Sequence, residues 1–236
     1  MNWYHGTDTN QATPFPNCGD PAHFYVGRLG GEETAGGTGL DEAAVAALRP
    51  EHCFGYWDLA GPDGAQPGQT YSDWGLAQAK AFYHAWSSGA FHTRVKGATL
   101  FLDIEPGNGG WLSGGTTTEK SFNRDVLYGA LRFLNNRERG TTAGIYISTG
   151  DWDVYFGSTY RSPLPFVFWL AGTTCPSDCV AAQNTFPVHV HRGGLQVMIW
   201  QYRVPGCSGN QDFNLTPFNG FLTGQWHPTR VGMSEL

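Results

Sequence analysis

Apolar and polar positions along the chain follow two different periods. Short apolar runs of strand length recur at residues 3–8, 23–29, 53–59, 98–105, 144–148, 166–171, 188–191 and 195–202. Glycine, proline and polar residues bound them, as they bound strands. Between the early runs the spacing changes to that of amphipathic helices. One helix is expected over residues 41–48, stopping before Pro50. A second starts near Asp73, sets Leu76, Ala79, Phe82 or Tyr83, and Trp86 on one side, and ends by Gly89. A third opens with Thr116 and Glu119 at capping-box spacing and carries Phe122, Val126, Ala130 and Phe133 on its apolar face. Gly140 supplies its stop. Beyond residue 150 the pattern predicts strands with no amphipathic helix between them.

Strands alternating with helices predict an α/β fold, a parallel sheet with helices outside it. Eight strand-like runs in 236 residues suit a single TIM-like (β/α) barrel, helix-poor in its C-terminal third, for which about 250 residues is typical. No repeat, low-complexity tract or linker interrupts the chain, so one domain over 1–236 is expected. Composition sharpens this in two ways. Charged residues make up only 14% and hydrophobic ones 40%, which argues against disorder. A net charge of −6 provides no basic footprint, so neither nucleic acid nor an anionic membrane surface is an expected partner. No apolar stretch approaches the roughly 20 residues of a membrane-spanning helix, and Met1-Asn2-Trp3-Tyr4 does not open like a signal peptide. The five cysteines cannot all pair within the chain. Cys175 and Cys179 are close enough for a small loop disulfide, which would suit export. Zinc, with His189 and His191 as extra ligands, is the weaker alternative, because no second pair of sulfurs has ligand spacing.

The densest chemistry lies at the end of the fourth run, Phe101-Leu102-Asp103-Ile104-Glu105-Pro106. Strand residues i and i+2 share one face, roughly 6.5 Å apart along the chain. Asp103 and Glu105 therefore face the same way where a buried strand stops. Burying two like charges side by side costs several kcal/mol unless they are compensated, so stability alone would have placed valine there. In barrels the chemistry sits at the C-terminal strand ends. There the other runs supply Asp8, Tyr56, Trp57, Tyr146, Trp169, Trp200 and Gln201, with Asp212 a short loop later.

These strand ends resemble glycoside hydrolase family 25, the lysozymes (N-acetylmuramidases) that cut bacterial cell-wall glycan. The stretch 101–105 is similar to the family's Asp-x-Glu strand, and Gly144-Ile145-Tyr146-Ile147-Ser148 to its Gly-x-Tyr-x-Ser strand. Trp200-Gln201-Tyr202, followed by Gly206, Gly209 and Asp212-Phe213-Asn214, is similar to its closing signature in order and spacing. Gly6-Thr7-Asp8 resembles the opening Gly-x-Asp. The departures are Thr9-Asn10-Gln11-Ala12 after Asp8 and Gly172-Thr173-Thr174-Cys175 after the sixth run. The segment from Phe24 to Gly31, with residues 73–81, is closer to a related group of bacterial glycoside-hydrolase-like domains of unassigned activity.

The resemblance implies a barrel lacking its later helices and a glycan hydrolase that cleaves the N-acetylmuramic acid–N-acetylglucosamine linkage of peptidoglycan. It needs no metal or other cofactor. Repulsion between neighbouring acids keeps one of them protonated near neutral pH. Glu105, with the longer side chain, is the expected general acid/base. Asp103 would stabilise developing positive charge or orient the substrate's N-acetyl group. Asp8 and Asp212 would hold the pair in place. Tyr56, Trp57, Tyr146, Trp169 and Trp200 would offer flat faces to sugar rings, and Gln201 polar contacts. Peptidoglycan or a related amino-sugar glycan is the implied partner of a monomer. The implied location is outside the cell or at its wall, and it follows from the substrate alone. Two other readings stay open: a glycan-binding barrel with little or no turnover, and a hydrolase of a different polymer on the same scaffold. Retention of all four acids favours the muramidase.

Overall fold

The computed structural model of the chain describes residues 4–7, 24–31, 52–88, 98–136, 140–172, 189–190, 195–202 and 213–216. All eight expected strands are present: β1 (Tyr4–Thr7), β2 (Phe24–Gly31), β3 (His52–Asp58), β4 (Ala98–Asp103), β5 (Thr141–Ile147), β6 (Val167–Ala171), β7 (His189–Val190) and β8 (Leu195–Tyr202). A ninth, β9 (Phe213–Thr216), was not expected. Strands β1 to β6 lie side by side in chain order, every pair parallel. β9 runs antiparallel to both β1 and β8, β8 pairs in parallel with β6, and the short β7 pairs antiparallel with β8. The result is an α/β fold with a curled parallel sheet. It is consistent with a TIM-like barrel, but the antiparallel β9 departs from a regular (β/α)8 arrangement.

The curl is visible in the side chains. On a flat sheet β3 and β6 would stand about 14 Å apart, three strand spacings. Yet the rings of Tyr56 on β3 and Trp169 on β6 have centroids 6.4 Å apart. Two apolar clusters result. An inner one holds Phe24, Val26, Phe54, Phe101, Tyr146, Val167, Trp169 and Ile199. The other lies between sheet and helices and includes Leu59, Leu100, Leu102, Ile104, Ile145, Ile147 and Trp200. Gly144 on β5 stands beside Phe101 in register; a Cβ there would strike the Phe101 ring.

The described residues form three helices, α1 (Tyr71–Ser88), α2 (Thr117–Leu134) and α3 (Thr149–Tyr155). The helix expected over 41–48 lies outside the described residues. On α1 the buried side includes Trp74, Gln78, Ala79, Phe82 and Trp86, whereas the expected Leu76 is only half-buried. Helices α1 and α2 approach closely at Gly75 and Gly129. A Cβ on either would collide with a main-chain carbonyl of the facing helix, that of Val126 or Ser72. On α2, Val126, Leu127, Ala130, Leu131 and Leu134 are buried, while the expected Phe122 and Phe133 lie at the margin. Helix α3 corrects the expectation of a strand-only region after residue 150. The Ser148 hydroxyl caps it by accepting from the Asp151 amide at 3.0 Å, and Trp152 and Tyr155, three residues apart, bury against the core. No helix among the described residues is long and apolar enough to cross a membrane.

The capping box at the start of α2 is formed as expected. The Thr116 amide and hydroxyl both donate to the Glu119 carboxylate, at 3.0 and 2.8 Å, and the Glu119 amide donates to the Thr116 hydroxyl. The amide bond first, and the hydroxyl bond second, hold the Glu119 carboxyl below the ordinary carboxylate range. A carboxyl lowered in this way stabilises the fold above its unfolded value, and the contribution disappears as pH falls through the lowered one. Thr116→Ala should cost about 1 kcal/mol at neutral pH. Urea melts at neutral pH, repeated well below the carboxylate range, should show the deficit of Glu119→Gln present in the first and gone in the second.

Candidate functional site

The end of β4 sets the geometry. Leu100, Leu102 and Ile104 are fully buried on the helix side, so the alternating Phe101, Asp103 and Glu105 face inward. The backbone at Glu105 is still extended, at φ −129° and ψ 159°, which carries the alternation one step past the last paired residue. Pro106 then starts a 3-10 turn, Pro106–Asn108. The Asp103 and Glu105 side chains are half-buried. The Glu105 carbonyl accepts from the Asn108 amide at 3.1 Å, while its carboxylate makes no hydrogen bond or ion pair with the described residues.

Strand register fills in the rest. Asp58 on β3 stands beside Asp103, Asp103 beside Tyr146 on β5, and Tyr146 beside Trp169 on β6. Four inward residues thus form one row across four strands. The Tyr146 hydroxyl donates to Gln201 Oε1 from β8 at 2.5 Å. Trp169 packs edge-on against Tyr146, Phe101 and Tyr56 at 4.6, 5.2 and 6.4 Å between centroids. At 2% exposed it is a floor beneath the site rather than an open face. Tyr56, one step below Asp58 on the same side, is only half-buried.

Two of the expected aromatic residues stand elsewhere. Trp57 follows Tyr56 directly, so it faces the opposite side and stacks on Phe82 of α1 at 5.8 Å. Trp200 precedes Gln201, and it is 2% exposed within the helix-side cluster. Strand alternation takes both away from the face that carries Asp103. Asp8 and Asp212 lie outside the described residues, as do Cys175, Cys179 and His191. Their sequence neighbours Thr7 and Phe213 are register partners. Two inward charges went unselected in the sequence. Arg28, on the Phe24–Val26 side of β2, forms an ion pair with Asp58. The signal was the same i, i+2 spacing, Tyr56 to Asp58 and Val26 to Arg28.

The loops after β3 and β4 are bound to each other and to the helices. The Leu59 amide donates to the Asp103 carbonyl at 2.9 Å and the Ile104 amide to the Tyr146 carbonyl at 3.0 Å. Asn108 Nδ2 donates to the Asp103 carbonyl at 2.8 Å. Trp111 Nε1 donates to the Leu59 carbonyl at 2.9 Å and Trp74 Nε1 to the Gly61 carbonyl at 3.0 Å. Gln78, buried on α1, accepts from the Ala60 amide and donates to the Ala60 carbonyl. That satisfies polar backbone that would otherwise be buried unpaired, and explains why a glutamine occupies an apolar helix side.

No protein-family model and no curated protein sequence matches the chain. Solved structures do match in fold. The bacterial lysozyme from Streptomyces coelicolor is 17% identical, with 93% of this chain and 95% of that one covered and a TM-score of 0.53. A family GH25 lysozyme from Aspergillus fumigatus is 16% identical over 95% of this chain and 98% of that one, with a TM-score of 0.56. The muramidase from Trichobolus zukalii is 14% identical over 94% and 99%, with a TM-score of 0.58. The chain thus resembles glycoside hydrolase family 25 lysozymes in fold.

Tyr146→Phe keeps the ring against Trp169 and removes only the hydroxyl that Gln201 accepts from. It should cost about 1–2 kcal/mol by urea unfolding, because Gln201 Oε1 is left buried without that donor. An unchanged midpoint would mean that the bond contributes nothing net.

Proposed function

We propose that the inward end of β3 to β6 is the active site of a glycan hydrolase. On this reading the chain acts as one domain with the site at the C-terminal strand ends, as in a TIM-like barrel. The observation that carries the reading is the pair Asp103 and Glu105, held on one face where a buried strand ends, in a fold shared with lysozymes and muramidases. The substrate proposed is the N-acetylmuramic acid–N-acetylglucosamine linkage of peptidoglycan, which places the working protein outside the cell or at its wall.

Glu105 donates a proton to the glycosidic oxygen as the bond to the anomeric carbon breaks. Asp103 stabilises the positive charge that develops there or holds the N-acetyl group in line. Water then adds at the anomeric carbon and returns a proton to Glu105, so the acid is regenerated. Half-buried Tyr56 offers its ring to a sugar, Tyr146 and Gln201 offer polar contacts, and Trp169 holds the floor. Thr7 and Phe213 are paired, so Asp8 and Asp212, one residue beyond each, are proposed to meet at the same rim.

Soluble muropeptides released from purified peptidoglycan, with mass analysis of their reducing ends, test this. Wild type should release fragments ending in muramic acid. Glu105→Gln, which keeps shape but carries no transferable proton, should lose at least about 100-fold in rate. Equal release from both would put the chemistry elsewhere. Binding without release would leave a glycan-binding barrel.

A further inference from the structure

Glu105 stands past the last paired residue of β4, in chain that the ladder no longer fixes. A short ring of main chain holds it instead. The Asn108 amide donates to the Glu105 carbonyl at 3.1 Å, and Asn108 Nδ2 reaches back five residues to the Asp103 carbonyl at 2.8 Å. Residues 103–108 thus close on themselves with Glu105 inside the ring and Asn108 as its clasp. The next residues are fixed to the loop after β3. The Gly61 amide donates to the Gly109 carbonyl at 2.9 Å and the Asp63 amide to the Gly110 carbonyl at 3.2 Å. Gly109 turns the chain toward them at φ 69° and ψ 138°, a conformation that favours glycine.

Stability does not call for the side-chain bond. The Asp103 carbonyl already accepts from the Leu59 amide at 2.9 Å, so losing the Asn108 donor leaves no buried acceptor unpaired. Asn108 itself is only half-buried. The chemistry sets a stricter demand. A general acid has to come within about 2.6–3.2 Å of the oxygen it protonates, and a misplacement of about 1 Å can cost about 100-fold in rate. A strand end that runs into Pro106-Gly107-Asn108-Gly109-Gly110 does not meet that tolerance unaided. We infer that Asn108 is a positioning residue for Glu105: it ties the turn back to the strand and so fixes where the carboxyl group points. The residue type suits the task, because an amide donates to a carbonyl whereas an ionised aspartate of the same shape could only accept. The catalytic consequence rests on the hydrolase reading, but the clasp itself can be measured without turnover.

The test compares Asn108→Ala and Asn108→Asp with wild type. NMR order parameters of the Glu105 and Gly107 backbone amides should be about 0.85 in wild type and fall below about 0.6 in Asn108→Ala, while that of Asp103, held in the sheet, stays in place. Asn108→Asp should be loose at neutral pH and firm again once the introduced carboxyl is protonated and can donate. Where wild type releases muropeptides, Asn108→Ala should lower kcat by about 10- to 100-fold with KM unchanged. In a Glu105→Gln background the same substitution should cost nothing further, because it acts through Glu105. Unchanged order parameters at Glu105 and Gly107, looseness in Asn108→Asp that acid does not reverse, or a full additional loss on top of Glu105→Gln would overturn the inference. So would failure of Asn108→Ala to fold, which would make the bond a requirement of the fold itself. A wild type that releases nothing sinks the hydrolase reading and leaves the order parameters to decide the clasp. An active wild type whose kcat ignores Asn108→Ala sinks only the positioning role.

Discussion

Leu100, Leu102 and Ile104 are buried completely against the helices, and that burial fixes which way the end of β4 can face. Each such side chain contributes about 1.5–3 kcal/mol when buried rather than exposed. Turning the strand over would forfeit all three and place Asp103 and Glu105 in the apolar layer. The inward orientation of the two acids thus follows from the burial of their strand neighbours. The same alternation in β3 sends Tyr56 and Asp58 inward and Trp57 toward α1, and in β8 it separates Gln201 from Trp200. One constraint, the two-residue period under one-sided burial, thereby sorts nearly every candidate residue.

What orientation alone cannot supply is rigidity at the strand ends, where ladder hydrogen bonds stop. Here the loops provide it. Leu59, Ile104 and Asn108 bond to main chain at the ends of β4 and β5, and Trp74, Gln78 and Trp111 anchor the turn after β3 from behind. Each anchor is an indole or amide bonding to a backbone group. The site is therefore backed by a polar frame inside an apolar layer, and the inner face is left for charged groups. The close contact of α1 with α2 through Gly75 and Gly129 brings the helix that carries Gln78 against the one that carries Asn123, whose buried side-chain amide donates to the Leu112 and Tyr155 carbonyls.

Much of this was legible in the sequence, and the misses have physical causes. Strands β1 to β8, helices α1 and α2, the capping box and the Asp103–Glu105 pair follow from periodicity and capping chemistry, which are local. Helix α3 escaped because seven residues give too few turns for a period to emerge; its cue was Ser148 before Asp151. β9 escaped because its four residues, Phe213–Thr216, form a strand only by pairing with β1 and β8, which are remote in sequence. Trp57 and Trp200 were selected as aromatic residues near strand ends, although adjacent strand residues cannot share a face. Counting in twos from Tyr56 would have excluded Trp57 and brought in Asp58. Gln78 broke the apolar pattern of α1 because its partner, Ala60, lies in a loop that no helical period reports.

The central claim is that the glycan meets the inner face at the strand ends, and NMR of the aromatic rings with an N-acetylglucosamine–N-acetylmuramic acid oligosaccharide tests it most directly. Specific labelling of tyrosine and tryptophan separates the two sides of the sheet. The inner-face account predicts that the Tyr56 and Tyr146 ring signals shift on adding the sugar while those of Trp57 and Trp200 stay in place. Movement of Trp57 and Trp200 with Tyr56 and Tyr146 unchanged would contradict it.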